Sequence, residues 1–212
     1  MKFTEAKLEQ AFTSLLAKEG YPHFLGDSIE RNPKMGLAES EVLIEDDLRK
    51  YLLTRYKKEQ LTNYEVDRIV LELKRLPSSD LYESNKTVMR WLADGFIFKR
   101  EDRSQKDLHI ELIDYEGIDK QRTSDDLDVI SADHEEEYKT EQNIYRFVTQ
   151  LVIEGTHRRI PDGIIYINGL PVVVCEFKTA IQENTTIHDA YVQLTTRYRR
   201  DIPELFKYNA FC

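Results

Sequence analysis

Two acidic residues and a lysine in the last third of the chain have types and spacing suited to phosphodiester chemistry. Asp162 follows Pro161, and Glu176 stands two residues before Lys178. The apolar run 172–175 leads directly into Glu176, and charged residues seldom end a buried strand unless they have a use. Because side chains alternate along a strand, Glu176 and Lys178 project to the same face. These three residues are therefore candidates for a catalytic centre.

The chemistry expected of such a group is metal-dependent hydrolysis. Asp162 and Glu176 on neighbouring strands can hold a hard divalent cation such as Mg²⁺ or Mn²⁺, which prefers oxygen ligands. The carbonyl of Phe177 can add a further ligand. A metal held in this way activates water and offsets charge on a phosphate. Lys178 can orient the attacking water and stabilise the transition state.

The hairpin between the two strands decides whether Asp162 joins the other residues. The dipeptide Asn168-Gly169 between apolar runs predicts a tight hairpin turn. A regular two-residue loop would place Asp162 opposite Cys175, on the wrong face of the sheet. A three-residue loop, a glycine bulge or an irregularity at Pro171 would instead bring Asp162 opposite Glu176. A metal site therefore predicts one of these departures from a regular hairpin.

Hydrophobic periodicity predicts the elements that position these residues. The first hundred residues are mainly helical, with helical patterns at 4–18, 40–56, 63–75 and 80–94. Strands are predicted at 108–115, 127–130, 143–153, 159–167, 170–177 and from 208, with a charged connector at 133–141 and a helix at 186–199. We expect an α/β fold with a mixed sheet flanked by helices. Residues 1–100 would form a helical N-terminal elaboration and residues 101–212 the core sheet and helix.

The acidic balance of the chain bears on its partners. The net charge is −9, and residues 155–212 carry seven Lys/Arg against six Asp/Glu, so about −10 falls on residues 1–154. Because phosphate neutralisation needs Lys and Arg, this balance predicts weak binding to nucleic acid without sequence preference. DNA held by partner subunits remains compatible with it.

Composition also bears on the cellular location. The chain has two cysteines, Cys175 and Cys212, which do not indicate a disulfide framework. No apolar run approaches the length of a membrane span, and the N-terminus has no signal-peptide pattern. We therefore expect a cytoplasmic protein without a membrane partner.

The pattern Pro161-Asp162 followed by Glu176-x-Lys178 across a hairpin resembles the PD-(D/E)xK nuclease superfamily. Residues 159–178, with 193–194, 197–198 and 201–209, more closely resemble the R subunit of type I restriction enzymes. The resemblance covers about residues 143–212 with good specificity, and the helical N-terminal part matches only loosely.

The resemblance implies a PD-(D/E)xK nuclease fold and an endonuclease domain that cleaves double-stranded DNA with Mg²⁺ or Mn²⁺. The partners would be the methyltransferase and specificity subunits of a restriction complex. ATP would act only through a motor domain, and the chain contains no GxxxxGK[ST] phosphate loop. We therefore expect the sequence to be a fragment of a longer polypeptide.

The resemblance also points to residues on the helix after the catalytic strand. The family often carries Gln-x-x-x-Tyr there, which places both side chains on one face. Here Gln193 and Tyr198 are five residues apart, or roughly 140° around an α-helix. Either this helix is irregular or only one of the two residues lines the site, and both are candidate catalytic residues. On the first helix, Glu9 or Glu5 is a candidate for completing the metal site.

Four arginines, Arg158, Arg159, Arg197 and Arg200, are candidate phosphate contacts. An equally open interpretation of the three arginines at 197–200 is a solvated helix end.

Two rival functions are compatible with the same residues. In the first, the chain is a non-catalytic docking module of a DNA-processing complex, and Asp162, Glu176 and Lys178 form a structural ion cluster. In the second, it is a stand-alone nuclease of the same superfamily. Convergence of the three side chains around an ion-sized space would favour a nuclease over the ion cluster.

Overall fold

A four-stranded sheet carries the residues identified above. The computed structural model describes residues 4–31, 38–116, 143–178 and 187–212. The strands are β1 (His23–Leu25), β2 (Phe96–Phe98), β3 (Leu108–Ile110), β4 (Tyr145–Thr149), β5 (Gly163–Ile167) and β6 (Leu170–Cys175). The main sheet has the order β1-β4-β5-β6, and β2 pairs with β3 in a separate hairpin. Because β1 is parallel to β4 while β4, β5 and β6 are antiparallel, the sheet is mixed, and the expected α/β class is confirmed.

Helices flank this sheet on both sides. They are α1 (Glu5–Lys18), α2 (Glu45–Arg55), α3 (Asn63–Arg75), α4 (Leu81–Asp94), α5 (Ile187–Val192), α6 (Arg199–Asp201) and α7 (Pro203–Phe206), and a π-helical segment, Gln193–Tyr198, joins α5 to α6. Thr4 caps the N-terminus of α1, because its side chain accepts the Lys7 N–H. Thr62 and Glu65 form a capping box at the start of α3. Within the described residues, no helix is both long and apolar enough to cross a membrane.

The main core lies between one face of the sheet and the helices α2 and α3. One face of the sheet contributes Val148, Ile164 and Val174, which are fully buried. They join Leu48 and Ile69 in one apolar cluster. Burial of each such side chain contributes about 1.5–3 kcal/mol to folding. This core fixes the face of the sheet to which Ile164 of β5 and Val174 of β6 point.

The opposite face of the sheet is covered by α1. The ring of Phe12 makes edge contacts with Phe147 and Phe177, at centroid distances of 5.6 and 5.3 Å. No residue of α1 is fully buried. Phe12 therefore links α1 to this face of the sheet and to Phe177, the residue that follows Glu176.

The hairpin turn between β5 and β6 is packed into the core. Asn168 and Gly169 both have positive φ, 51° and 78°, as a type I′ turn requires. The Asn168 amide accepts the Ile144 N–H at 2.7 Å and donates to Leu112 O and to Asn143 Oδ1, both at 2.8 Å. A side chain at position 169 would lie 2.1 Å from the Ile44 carbonyl oxygen. The turn is thus specified by its own dihedral angles and by its neighbours.

Several predicted boundaries are wrong by a few residues. The second helix begins at Glu45 and not at Ser40, because residues 41–44 are not helical and the Ile44 N–H donates to Gly169 O at 2.9 Å. The strands predicted at 108–115, 143–153 and 159–167 are shorter, and β1 and β2 were not predicted. The strand expected from residue 208 is represented by an isolated parallel bridge between Val173 and Phe211. The elements predicted at 127–130 and 133–141 lie outside the described residues.

Candidate active site

A β-bulge in β6 sets the register of the hairpin. Next to the two-residue turn, Tyr166 pairs with Pro171. The following pair is Ile165 with Val173, which leaves Val172 as an extra residue on β6. The irregularity therefore lies beside Pro171, one of the three arrangements that the sequence left open.

The bulge restores the parity that the site requires. Beyond it, Gly163 pairs with Cys175. Continuing this register by one residue brings Asp162 opposite Glu176 at the end of the sheet. A two-residue turn with a regular ladder would have put Asp162 on the other face.

The three predicted residues converge at this end of the sheet. Asp162 Oδ2 accepts the backbone N–H of Phe177 at 2.6 Å, which fixes the carboxylate against β6. Lys178 Nζ donates to Glu176 Oε1, also at 2.6 Å. The Glu176 side chain is only 1% exposed and that of Lys178 is 21% exposed, so this ion pair is shielded from solvent.

The π-helical segment brings Gln193 and Tyr198 to the same carboxylate. Gln193 Nε2 donates to Glu176 Oε1 at 2.6 Å, and the Tyr198 hydroxyl donates to Glu176 Oε2 at 3.1 Å. Gln193 Nε2 also lies 2.8 Å from the Tyr198 hydroxyl. Of the two possibilities raised by the spacing, the irregular helix is the one observed, and both residues line the site.

The surroundings raise the pKa of both acidic residues. Burial raises the pKa of Asp162, and the Phe177 N–H and the charge of Lys178 only partly oppose it. Burial, together with the charge of Asp162, raises the pKa of Glu176 against the hydrogen bonds from Lys178 and Tyr198. Burial disfavours the charged form of Lys178, but Glu176 and Asp162 outweigh it and raise the lysine pKa. The site therefore concentrates negative charge in a partly desolvated place.

Helix α1 adds acidic residues at the margin of the site. Glu9 is half-buried, and burial followed by the charge of Asp162 raises its pKa. The charge of Glu5 acts in turn on Asp162 and Lys178. Among the described residues, however, no three His, Cys, Asp or Glu side chains form a group that could hold a metal ion. Glu9 therefore lies close enough to Asp162 for their charges to interact, without completing a three-carboxylate set.

The donor chemistry of the site nevertheless fits a hard divalent cation. Asp162 and Glu176 present carboxylate oxygens, and Phe177, whose carbonyl is the third candidate ligand, directly follows Glu176 in the chain. Both carboxylates have raised pKa values because burial, and for Glu176 the charge of Asp162, opposes ionisation. A cation bound by oxygen ligands would offset this repulsion.

The four candidate arginines differ in their surroundings. Arg159 and Arg200 both form ion pairs with Asp201, whose side chain is fully buried. Arg158 is exposed and lies 3.9 Å from Glu39, and Arg197 is exposed on the π-helical segment. Sequence reasoning did not identify Asp201, because nothing in the local pattern indicates that a carboxylate 39 residues beyond Asp162 in the chain is buried beside the site.

Comparison with known proteins identifies the family of the chain. The family model described as the N terminus of the type I restriction enzyme R protein matches residues 2–212. The chain belongs to this family. The match extends over the helical N-terminal part, where the motif resemblance was loose.

Individual relatives are type I restriction enzyme endonuclease subunits by name. The type I restriction enzyme HindI endonuclease subunit of Haemophilus influenzae is 30% identical over 153 residues, 71% of this chain and 12% of that protein. The putative type I restriction enzyme MjaVIIIP endonuclease subunit of Methanocaldococcus jannaschii is 37% identical over 76 residues, 35% of this chain and 7% of that protein. The chain thus spans a small part of the length of these relatives.

Proposed function

We propose that this protein is a metal-dependent endonuclease domain of a type I restriction enzyme, with a PD-(D/E)xK core that hydrolyses phosphodiester bonds in double-stranded DNA. The observation that carries the proposal is the bulged register, which brings Asp162 opposite Glu176 and leaves Lys178 on the same side. A structural hairpin has no need of this departure from a regular ladder.

Each residue of the site has a distinct proposed role. Asp162, Glu176 and the Phe177 carbonyl would hold Mg²⁺ or Mn²⁺, and Glu9 would add negative charge from α1. When bound, the metal would supply Lewis-acid stabilisation of the phosphate and a more acidic water. Lys178 would orient the attacking water and balance charge that develops on the phosphate.

Gln193 and Tyr198 are proposed to act as positioning residues. Both donate to the Glu176 carboxylate, one to each oxygen. Such outer hydrogen bonds fix the direction of a ligating carboxylate, and their loss commonly costs a metal site much of its activity. In this proposal, the unusual π-helical geometry serves to hold the Glu176 side chain in place.

The proposed partners follow from family membership. The relatives are named as endonuclease subunits of type I restriction enzymes. We propose that this domain acts in a complex with methyltransferase and specificity subunits, and that any dependence on ATP comes from a motor domain of the same enzyme.

The proposal is tested by replacing the two carboxylates in the assembled enzyme. Asp162→Ala and Glu176→Ala should each abolish DNA cleavage and leave ATP hydrolysis linked to translocation intact, because the site is separate from the motor. Glu83→Ala, which removes an exposed carboxylate on α4, is the matched control and should cleave normally. Loss of ATP hydrolysis together with cleavage in a correctly folded variant would count against the assignment.

A further inference from the structure

Beside the candidate active site, three basic side chains surround the buried carboxylate of Asp201. Arg159 Nε donates to Asp201 Oδ2 at 2.7 Å, and Arg200 Nε donates to Oδ1 at 2.7 Å. His157 Nδ1 lies 3.3 Å from Oδ1. The Asp201 side chain has no exposed surface, so its charge is met by these neighbours and not by water.

This cluster is built onto the same two segments as the active site. The Thr156 N–H donates to the Asp201 carbonyl at 2.8 Å. Arg159 and Ile153 form an antiparallel bridge in which each backbone N–H donates to the other residue's carbonyl. The Tyr198 hydroxyl, which donates to Glu176, is also 3.4 Å from the carbonyl oxygen of Ile160. The cluster therefore has a fixed position relative to Asp162 and Glu176.

The basic groups of the cluster face outward while the acid faces inward. Arg200 and His157 are each 63% exposed, and the neighbouring Arg158 is 59% exposed. Arg159 is 33% exposed. Arg200 uses Nε and Nη2 for Asp201, so its Nη1 remains directed away from this ion pair. Ion pairing here fixes the guanidinium groups without turning them away from solvent.

An ordinary surface ion pair would not have this arrangement. Lys86 and Glu83, for example, are 64% and 57% exposed, so the acid of that pair would repel a phosphate as readily as the base would attract it. At Asp201 the acid is buried and its three partners are basic. Arg158 also lies 3.9 Å from the Glu39 carboxylate, whose side chain is 46% exposed. Hydrogen bonds from Arg200, then Arg159, lower the pKa of Asp201 and keep it ionised.

We infer that His157, Arg158 and Arg200 form a phosphate-binding edge that contacts the DNA backbone beside the cleaved bond. Asp201 and Arg159 are its positioning residues, and Arg159 ties the edge to the segment that leads into Asp162. The inference rests on the proposed function and adds where the substrate is held. Contacts of this kind fix the register of a duplex and carry no base specificity.

The experiment is a salt titration of binding by the 212-residue protein to a fluorescent duplex in EDTA, where hydrolysis does not interfere. Binding should be weak and independent of sequence, because the chain carries a net charge of −9. Arg158→Ala and Arg200→Ala should each reduce the slope of log affinity against log salt by about one. Arg90→Ala, an exposed arginine of α4, is the control and should leave the slope unchanged.

The outcomes separate this inference from the proposed function. If Arg158→Ala and Arg200→Ala both bind with the wild-type slope, the edge is not a phosphate site, whatever the cleavage activity of the wild type. If both reduce the slope but the assembled wild type never cleaves DNA, the edge stands and the nuclease assignment fails. If Asp201→Asn has the melting temperature of the wild type, it should also reduce the slope of log affinity against log salt. If the Asp201→Asn variant folds and binds like the wild type, Asp201 is not a positioning residue. If this variant does not fold, the two arginine variants decide the inference.

Discussion

Gln193 Nε2 lies 2.8 Å from the hydroxyl of Tyr198, although five residues separate the two positions in the chain. In an α-helix this spacing would turn one side chain away from the other by roughly 140°. The segment Gln193–Tyr198 is instead π-helical, with hydrogen bonds from residue i to i+5. The extra residue in the turn is what allows both side chains to reach Glu176.

Tyr198→Phe tests whether this arrangement serves catalysis. The ring is buried and would be kept, while the hydroxyl that donates to Glu176 Oε2 would be lost. We expect cleavage by the assembled enzyme to fall by about 10–100-fold. Stability should fall by only about 1 kcal/mol, as for a typical single hydrogen bond. Cleavage rates and chemical denaturation measure the two effects.

The control for this substitution is Tyr191→Phe. Tyr191 lies on α5, two residues before Gln193, and its side chain is 62% exposed. It should retain wild-type cleavage and stability. Equal losses in the two variants, or wild-type cleavage by Tyr198→Phe, would mean that the Tyr198 hydroxyl does not position Glu176.

Much of the site could be predicted from the sequence because its signals are local. The turn dipeptide Asn168-Gly169 and the apolar strands on either side define the hairpin. Because side chains alternate along a strand, a regular two-residue hairpin would place Asp162 and Glu176 on opposite faces. The sequence therefore predicts an irregularity in the hairpin, although not its position. The choice of Val172 as the extra residue depends on tertiary contacts. Its carbonyl accepts the Ala210 N–H at 2.8 Å, and no local pattern predicts that partner.

Other features could not be predicted because they depend on pairs that are distant in sequence. The strand β1 has only three residues, too few for a periodic pattern, and it exists because His23–Leu25 pairs with β4 more than a hundred residues later. The burial of Asp201 likewise arises from the approach of Arg159 and residues 155–156. Short strands and buried ion pairs are properties of the folded chain and not of a sequence window.

The hairpin turn offers a test of the fold itself. Gly169 has a φ of +78°, and a methyl group there would lie 2.1 Å from the Ile44 carbonyl oxygen and 3.0 Å from the Leu48 nitrogen. Gly169→Ala should therefore cost more than the roughly 1–2 kcal/mol of left-handed backbone strain alone. We expect a large fall in melting temperature, measured by circular dichroism.

Gly20→Ala separates the effect of left-handed backbone strain from that of the steric clash with α2. Gly20 has a similar φ of +84°, but no atom lies within 4 Å of the added methyl group. This variant should show only the strain of about 1–2 kcal/mol. If the two variants lose the same stability, the packing of the turn against α2 contributes nothing measurable.

Acid should weaken the Asp201 cluster. Hydrogen bonds from Arg200, then Arg159, lower the pKa of Asp201 in the folded state below the value of about 3.9 for a free aspartate. The folded protein therefore binds this proton less readily than the unfolded chain does. The stabilisation is complete above the unfolded pKa and is lost as the pH falls through the folded pKa.

Comparison of the wild type with Asp201→Asn isolates this effect. The difference between their free energies of unfolding should be constant near neutral pH and should shrink as the pH falls below about 5. Urea denaturation at a series of pH values measures it. A difference that stays constant down to pH 3 would mean that the Asp201 charge does not stabilise the fold.

Lys178 distinguishes a nuclease from a structural ion cluster. Its ammonium group lies 2.6 Å from Glu176 Oε1, and this contact is compatible with both interpretations. In a nuclease the lysine acts on the attacking water and on charge in the transition state. Lys178→Ala should then reduce cleavage by about 10²–10³-fold. Arginine should restore little activity, because a planar guanidinium group replaces a compact ammonium group.

Metal binding and stability of Lys178→Ala give the decisive pair of measurements. In a nuclease the variant should still bind Mn²⁺ through Asp162 and Glu176, and more tightly than the wild type, because a nearby positive charge is removed. In an ion cluster, removal of the lysine side chain would leave a buried carboxylate without its partner and cost about 3–5 kcal/mol of stability. Lys86→Ala, which removes an exposed lysine from α4, controls for the loss of a surface charge. Calorimetry with Mn²⁺ and thermal melting are done on all three proteins. A large fall in melting temperature, with no Mn²⁺ binding by either the variant or the wild type, would reject the nuclease assignment in favour of the ion cluster.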